Sequence, residues 1–157
     1  SGTINCSPDA DRLAQRLPPV PGTYGLGLTL ATSTRCAVGA LDTWRFKPGR
    51  YIYVGSAWGP GGMRARVGRH LRGTGTIRWH IDYLRVHAHP TALWLAPDAH
   101  LECTWAQHLA AQPGARIIAP RFGASDCRCP SHLFLLTDLA FAELDLPGDP
   151  KFVQVPA

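Results

Sequence analysis

Residues 49–73 read GRYIYVGSAWGPGGMRARVGRHLRG, and two periods follow each other within them. Tyr51 and Tyr53 alternate with Ile52 and Val54, the two-residue period of a strand. A Pro48–Gly49 turn precedes that strand. Beyond Trp58 come turn residues, and then Met63, Val67 and Leu71 recur at helical spacing, one apolar stripe on a helix formed within 58–73. Arg66 and His70 are four apart, so they line one edge of that stripe. Arg69 lies just outside it and Arg72 opposite, where a solvated basic face is the ordinary reading. Two tyrosines on one strand face commonly pack a half-buried surface. Gly55, however, follows Tyr53 at once, at a place where the backbone can turn or approach a ligand closely.

Outward from this stretch the chain punctuates itself. Asp9–Leu17 is expected to be a short helix, with Leu13 and Leu17 on one side, stopped by the prolines of LPPVPG. In GTYGLGLTL (22–30), Tyr24, Leu26, Leu28 and Leu30 alternate with small residues, which predicts a strand with one buried face. Residues 35–41 (RCAVGAL) and 45–56 are expected to continue it as an antiparallel meander. Residues 77–87 are expected to be helical, with Ile77, Ile81 and Leu84 in phase. A short strand is expected over 91–96, a helix over 99–111, and a Gly/Pro/Ser-rich loop over 117–136 feeding a last strand. After Asp138 the sequence turns acidic and proline-bearing, the composition of a peripheral tail. The fold class is α+β, a small antiparallel sheet flanked by helices. The 157 residues make one domain, with a core over about 20–137, an extension over 1–19 and a tail over 138–157.

The charge balance is +5 with only 17% charged residues, which favours an anionic partner such as nucleic acid without requiring one. No apolar run approaches a membrane span. Ser1–Gly2–Thr3 is polar, so a secretory leader is not expected. The five cysteines, Cys6, Cys36, Cys103, Cys127 and Cys129, are odd in number and point to free thiols in the cytoplasm.

Glu102 falls, on a helical wheel, inside the apolar arc of Leu101, Trp105, Ala106 and Leu109. A carboxylate there is costly unless it is paired or holds a hard cation such as Mg²⁺. Cys127, Cys129 and His132 are residue types of a zinc site, with Cys103 or His108 as a fourth ligand. The C-x-C spacing is not the usual knuckle, and buried free thiols are the reading preferred here. His80 and Asp82 lie on different helix faces, which favours a structural hydrogen bond over a metal. His87, His89 and His100 are expected in exposed loops.

Taken in order, Gly22-Thr23-Tyr24, Tyr53-Val54-Gly55-Ser56-Ala57, Arg66 with His70, and Glu102 resemble the GIY-YIG nuclease superfamily, which includes excision-repair incision subunits. PGRYIYVGSAWGPGGMRARVGRHLR, WHIDYL and RFGASDCRCPSHLF resemble an uncharacterised branch of it, sometimes fused to an endonuclease III-like glycosylase. The resemblance implies a three-stranded antiparallel core, here with an extra hairpin between Tyr24 and Tyr53. It also implies endonucleolytic hydrolysis of DNA, a setting in DNA repair, and Mg²⁺ or Mn²⁺ as the cofactor. It assigns Tyr24, Tyr53, Arg66, His70 and Glu102 to catalysis, with Glu102 as the metal ligand. Arg64, Arg69, Arg72, Gly55 and Ser56 would meet the nucleic acid. The family's asparagine has no match unless Ser131 or His132 stands in for it. Two competing readings are a non-catalytic nucleic-acid-binding module and a zinc-stabilised interaction domain.

Overall fold

Pro18, Pro19 and Pro21 deny the backbone donors that would prolong the first helix, and each strand of the central sheet ends near glycine, proline or a tight turn. The computed structural model describes residues 8–73, 76–125 and 127–156, so Cys6 lies outside the described residues. In chain order the elements are α1 (Pro8–Arg16), β1 (Gly22–Leu30), β2 (Thr34–Ala37), β3 (Thr43–Phe46), β4 (Gly49–Ser56), α2 (Gly62–Arg72), α3 (His80–Arg85), β5 (His89–Pro97), α4 (Glu102–Ala110), β6 (Ala115–Arg116), β7 (Leu133–Leu136) and β8 (Lys151–Gln154).

Six strands form one antiparallel sheet in the order β6-β7-β4-β1-β5-β8. The expected α+β class is observed, with β4, β1 and β5 at the centre of a six-stranded rather than a three-stranded sheet. The consecutive meander is not: β1 pairs directly with β4, Tyr24 opposite Gly55. The intervening β2 and β3 form a separate two-stranded sheet, the extra hairpin. Residues 39–41, expected to end a strand, form a 3₁₀ turn in the connection from β2 to β3, which Gly39 enters at a positive φ of 50°.

Both faces of β1 are buried, not one. Tyr24, Leu26, Leu28 and Leu30 join a cluster with Met63, Val67 and Leu71 of α2 and Ile81 and Leu84 of α3. Across the sheet Ile52, Val54, Trp94, Trp105, Leu109 and Phe134 form a second cluster under α4. Glycine on that face of β1 makes room for it. A Cβ on Gly27 would stand 2.8 Å from Ala92 Cβ and 3.1 Å from the Phe141 ring. Alternation of large and small residues in β1 thus records a thin second layer rather than solvent.

Two further expectations are corrected. The helix expected over 77–87 begins at His80. Asp82 accepts hydrogen bonds from the backbone N–H groups of Arg78 and Trp79 at 2.8 and 2.9 Å, which folds the preceding chain back onto the helix start at its N-cap, Trp79. Ile77 therefore lies before the helix and is 46% exposed. The segment after Asp138 is not peripheral. Strand β8 extends the sheet beside β5, Leu146 is buried, and Trp105 donates its indole N–H to Pro147 O at 2.7 Å. A chain ending at Asp138 should lose roughly 3 kcal/mol or more of stability, the scale of emptying a packed core site, and urea unfolding followed by Trp fluorescence measures it.

Candidate active site

The β1–β4 register sets Tyr24 beside Gly55. A Cβ at Gly55 would stand 2.5 Å from the Tyr24 Cζ and hydroxyl oxygen, so the missing side chain leaves room for the phenol. This revises the reading of Gly55: the space over it is occupied by Tyr24. Tyr51, on the same face as Tyr53, donates its hydroxyl to Lys47 O at 2.6 Å and packs.

From α2, His70 reaches the same point. Tyr24 Oη and His70 Nε2 are 2.7 Å apart in a buried hydrogen bond. Tyr53 completes a triangle, its ring 6.4 Å from Tyr24 and 6.2 Å from His70. One turn before His70, the Arg66 guanidinium is close enough to act electrostatically on the Tyr24 hydroxyl, donates to Ser56 O at 3.2 Å, and lies 4.0 Å over the Trp79 ring. The spacing of Arg66 and His70 thus brings a guanidinium and an imidazole to one phenol.

Glu102 arrives from the other side. It was expected within the apolar arc of its helix, but α4 begins at Glu102 itself, so its side chain sits at the open helix end and keeps 32% exposure. The carboxylate still acts electrostatically on both Tyr24 and Tyr53. Glu102 lines a cleft of about 330 Å³ together with Thr23, Ser56, Trp58, His100 and Cys103. Arg66 lines an adjoining cleft of about 250 Å³ with Ala57, Pro60 and Trp79. The five residues named from the sequence are thereby gathered at one end of the β1–β4 pair.

Arg64, Arg69 and Arg72 are each engaged within the fold. Arg64 donates to Leu17 O at 2.8 Å. Arg69 pairs with Asp82 at 2.7 Å and also bonds Thr76 O. Arg72 pairs with Asp11 at 2.9 Å. They tie α2 to its neighbours, and any phosphate would have to share them.

The sequence reading overlooked Thr23 and the Trp58–His100 pair. Buried Thr23 donates its hydroxyl to Ala99 O at 2.7 Å and accepts from Leu101 N–H at 2.8 Å, pinning the residue before Glu102 to β1. A threonine at an inward strand position beside Tyr24 was the available signal. Trp58 is 41% exposed and stacks on His100 with ring centroids 3.7 Å apart, an aromatic platform at the cleft rim. Among the described residues, four more side chains assemble beside it. The ligand atoms of Cys103, Cys127, Cys129 and His132 all lie within 4.8 Å of one another, a possible metal-binding cluster. His108 is not among them. His80 is structural, as expected: its Nδ1 accepts from Gly123 N–H at 2.8 Å.

Burial dominates the charges. It pushes Tyr24 well above the ordinary phenol value, with Tyr53 adding to the rise and Arg66 opposing it. Tyr53 is likewise raised, by burial first and then by Glu102. Burial lowers His70 from 6.5 to about 3, against the pull of Asp82 and with the repulsion of Arg66, Arg69 and Arg85. The Tyr24–His70 pair is therefore neutral at pH 7. Asp82 remains ionised below the usual carboxylate range: burial works against it, and the Arg69, Trp79 and Arg78 donors prevail.

The family described as "Domain of unknown function DUF123" matches residues 23–145. The chain belongs to that family. No curated protein and no solved structure matches it. The match spans every residue of the triangle, Glu102 and the Cys/His cluster. Among the described residues, no helix is long and apolar enough to cross a membrane.

Gly55→Ala should destabilise this family member by about 1–3 kcal/mol, because the new methyl collides with a phenol held by a buried hydrogen bond; thermal unfolding tests it. The pH dependence has a definite sign. His70 binds its proton near 6.5 when unfolded and only near 3 when folded, so its contribution is full above pH 6.5 and is lost as pH falls toward 3. Urea titrations should show the advantage of wild type over His70→Gln shrinking by roughly 1 kcal/mol per pH unit between about pH 6 and 4.

Proposed function

We propose that this DUF123 protein is a GIY-YIG-type endonuclease that hydrolyses DNA phosphodiester bonds with Mg²⁺ or Mn²⁺ and acts in DNA repair. The observation that carries this reading is the buried Tyr24–His70 hydrogen bond beneath Arg66, with the Glu102 carboxylate facing the same end of the sheet. A binding module that neutralises phosphates needs cations. A carboxylate at the same end of the sheet would repel a bare phosphate, and it becomes favourable through a divalent ion.

Glu102 fits such an ion. A single part-exposed carboxylate opening on a cleft suits Mg²⁺, which keeps several waters and takes one or two protein carboxylates. When bound there, the ion supplies Lewis-acid stabilisation of charge on the phosphate and the leaving oxygen. The rest of the chemistry belongs to this chain. Arg66 binds a non-bridging phosphate oxygen, its guanidinium already oriented by Ser56 O and the Trp79 face. Tyr24 Oη takes a proton from the attacking water as its own proton passes to His70 Nε2. That relay begins with a neutral phenol donating to a neutral imidazole, the forms that burial favours. The nascent imidazolium is offset by Asp82, the acidic group that acts on His70. Tyr53 holds the Tyr24 ring in place, and the Trp58–His100 platform offers a base a stacking surface at the rim.

Labelled single-strand, duplex and branched DNA, incubated with Mg²⁺, Mn²⁺ or EDTA, test the reading. Cleavage should require the metal. Glu102→Ala should lower it by about 100-fold or more while leaving DNA affinity in EDTA undiminished, because its contribution is made through the ion. Arg66→Ala should weaken both binding and turnover, since the guanidinium meets the phosphate before and during reaction. Unchanged cleavage by Glu102→Ala, or metal-dependent binding with no cleavage of any substrate, would remove the nuclease reading.

A further inference from the structure

The Cys/His cluster lies outside the proposed hydrolytic machinery, and its geometry asks for an occupant. Residues 117–132 join β6 to β7 with no helix or strand among those described. A connection of that length without regular structure is uncommon in a compact domain unless something else holds it. Cys127, Cys129 and His132 come from this loop. Cys103 comes from the first turn of α4, on the other side of the cluster. No hydrophobic pattern requires three thiols to face one imidazole, and the ring is not there as filler: His132 is 1% exposed and its Nδ1 has no hydrogen-bond partner.

We infer that Cys103, Cys127, Cys129 and His132 bind one structural zinc ion. The donor set is three sulfurs and one ring nitrogen, the composition of closed tetrahedral zinc sites. Spacing agrees. Bonds of about 2.3 Å to sulfur and 2.0–2.1 Å to nitrogen at a tetrahedral angle put sulfur and nitrogen about 3.6 Å apart and two sulfurs about 3.8 Å apart. Cys127 Sγ and His132 Nε2 are 3.4 Å apart, and every pair of donor atoms is within 4.8 Å. A disulfide could join two of the sulfurs but would leave the third sulfur and the ring without a role.

The surroundings are built for the ion as well. On binding, three thiol protons leave and the imidazole stays neutral, so zinc with three thiolates carries one net negative charge. The Arg121 guanidinium offsets it from the same loop, donating to Cys129 O at 2.7 Å and Cys127 O at 2.6 Å. Val54 N–H donates to His132 O at 2.8 Å, tying the loop to β4. Metal on His132 Nε2 puts the ring proton on Nδ1, and Glu102 Oε2 lies 3.8 Å from that atom. The otherwise unpartnered nitrogen then carries a proton with a carboxylate nearby, and a small closing of that gap would give the usual outer-shell arrangement of a zinc-bound histidine. Cys103 and His132 would hold the start of α4 from the zinc side, as Thr23 holds it from β1.

The test needs no activity. The full chain, purified without chelator, should carry one zinc ion by elemental analysis, and a mercurial should release it in step with blocking of the three thiols. Replacement by Co²⁺ should give sulfur-to-cobalt charge transfer and the visible bands of a tetrahedral site. Long-range ¹H–¹⁵N correlation should find His132 protonated on Nδ1 in the loaded protein. His132→Cys should still bind one ion, with the cobalt spectrum shifted to a four-sulfur set, which separates loss of a ligand from loss of folding. A folded chain without zinc, its three thiols freely reactive or paired in a disulfide, would overturn the inference. A His132 ring protonated on Nε2 in the zinc-loaded protein would overturn its place as fourth ligand.

Discussion

One phenol organises the candidate site. Tyr24 leaves β1, fills the space over Gly55 of β4, and meets His70 of α2 through a buried hydrogen bond. Three elements distant in sequence are thereby held to one point. Two polar atoms satisfy each other away from water, and removing either would leave its partner buried and unpaired, at a cost of about 1–3 kcal/mol. The site and the core are consequently the same object here. Tyr24, Tyr53 and His70 belong to the packing of the α2 layer and also feel the charges of Arg66 or Glu102.

Burial has an electrostatic consequence. It holds the two phenols and His70 neutral, whereas the charged groups, Arg66 and Glu102, remain part-exposed at the clefts. Charge is thus graded from a neutral floor to an ionic rim. Under the proposed nuclease function this grading assigns proton movement to the floor and phosphate recognition to the rim. The Cys/His cluster lies alongside, and Thr23 and Cys103 flank the residue on which the rim depends. The first turn of α4 is pinned to β1 on one side and borders the cluster on the other.

Much of this was legible in the chain. The strand periods of 22–30 and 51–54 and the α2 stripe of Met63, Val67 and Leu71 are local patterns, set by two- and 3.6-residue repeats, whereas the grouping of Tyr24, Tyr53, Arg66, His70 and Glu102 came from the resemblance of their order to a known family. Strand β8 escaped notice because Lys151–Gln154 has little pattern of its own and forms by pairing with an edge already present. Alternation alone put β2 in a meander with the main sheet, because it does not name a partner; the resemblance, by the long gap between Tyr24 and Tyr53, set it apart as an extra hairpin.

The sequence by itself determined which residues could carry chemistry and on which kind of element each would sit, since side-chain direction follows from backbone period. Tertiary structure alone decided their company. It placed the Tyr24 ring over Gly55, freed Glu102 from an apolar arc by starting α4 at that residue, and brought Cys103 rather than His108 to Cys127, Cys129 and His132. The reason is physical. Period is a property of a few successive φ/ψ pairs, whereas proximity depends on how two apolar layers close over one sheet, and no local repeat encodes that.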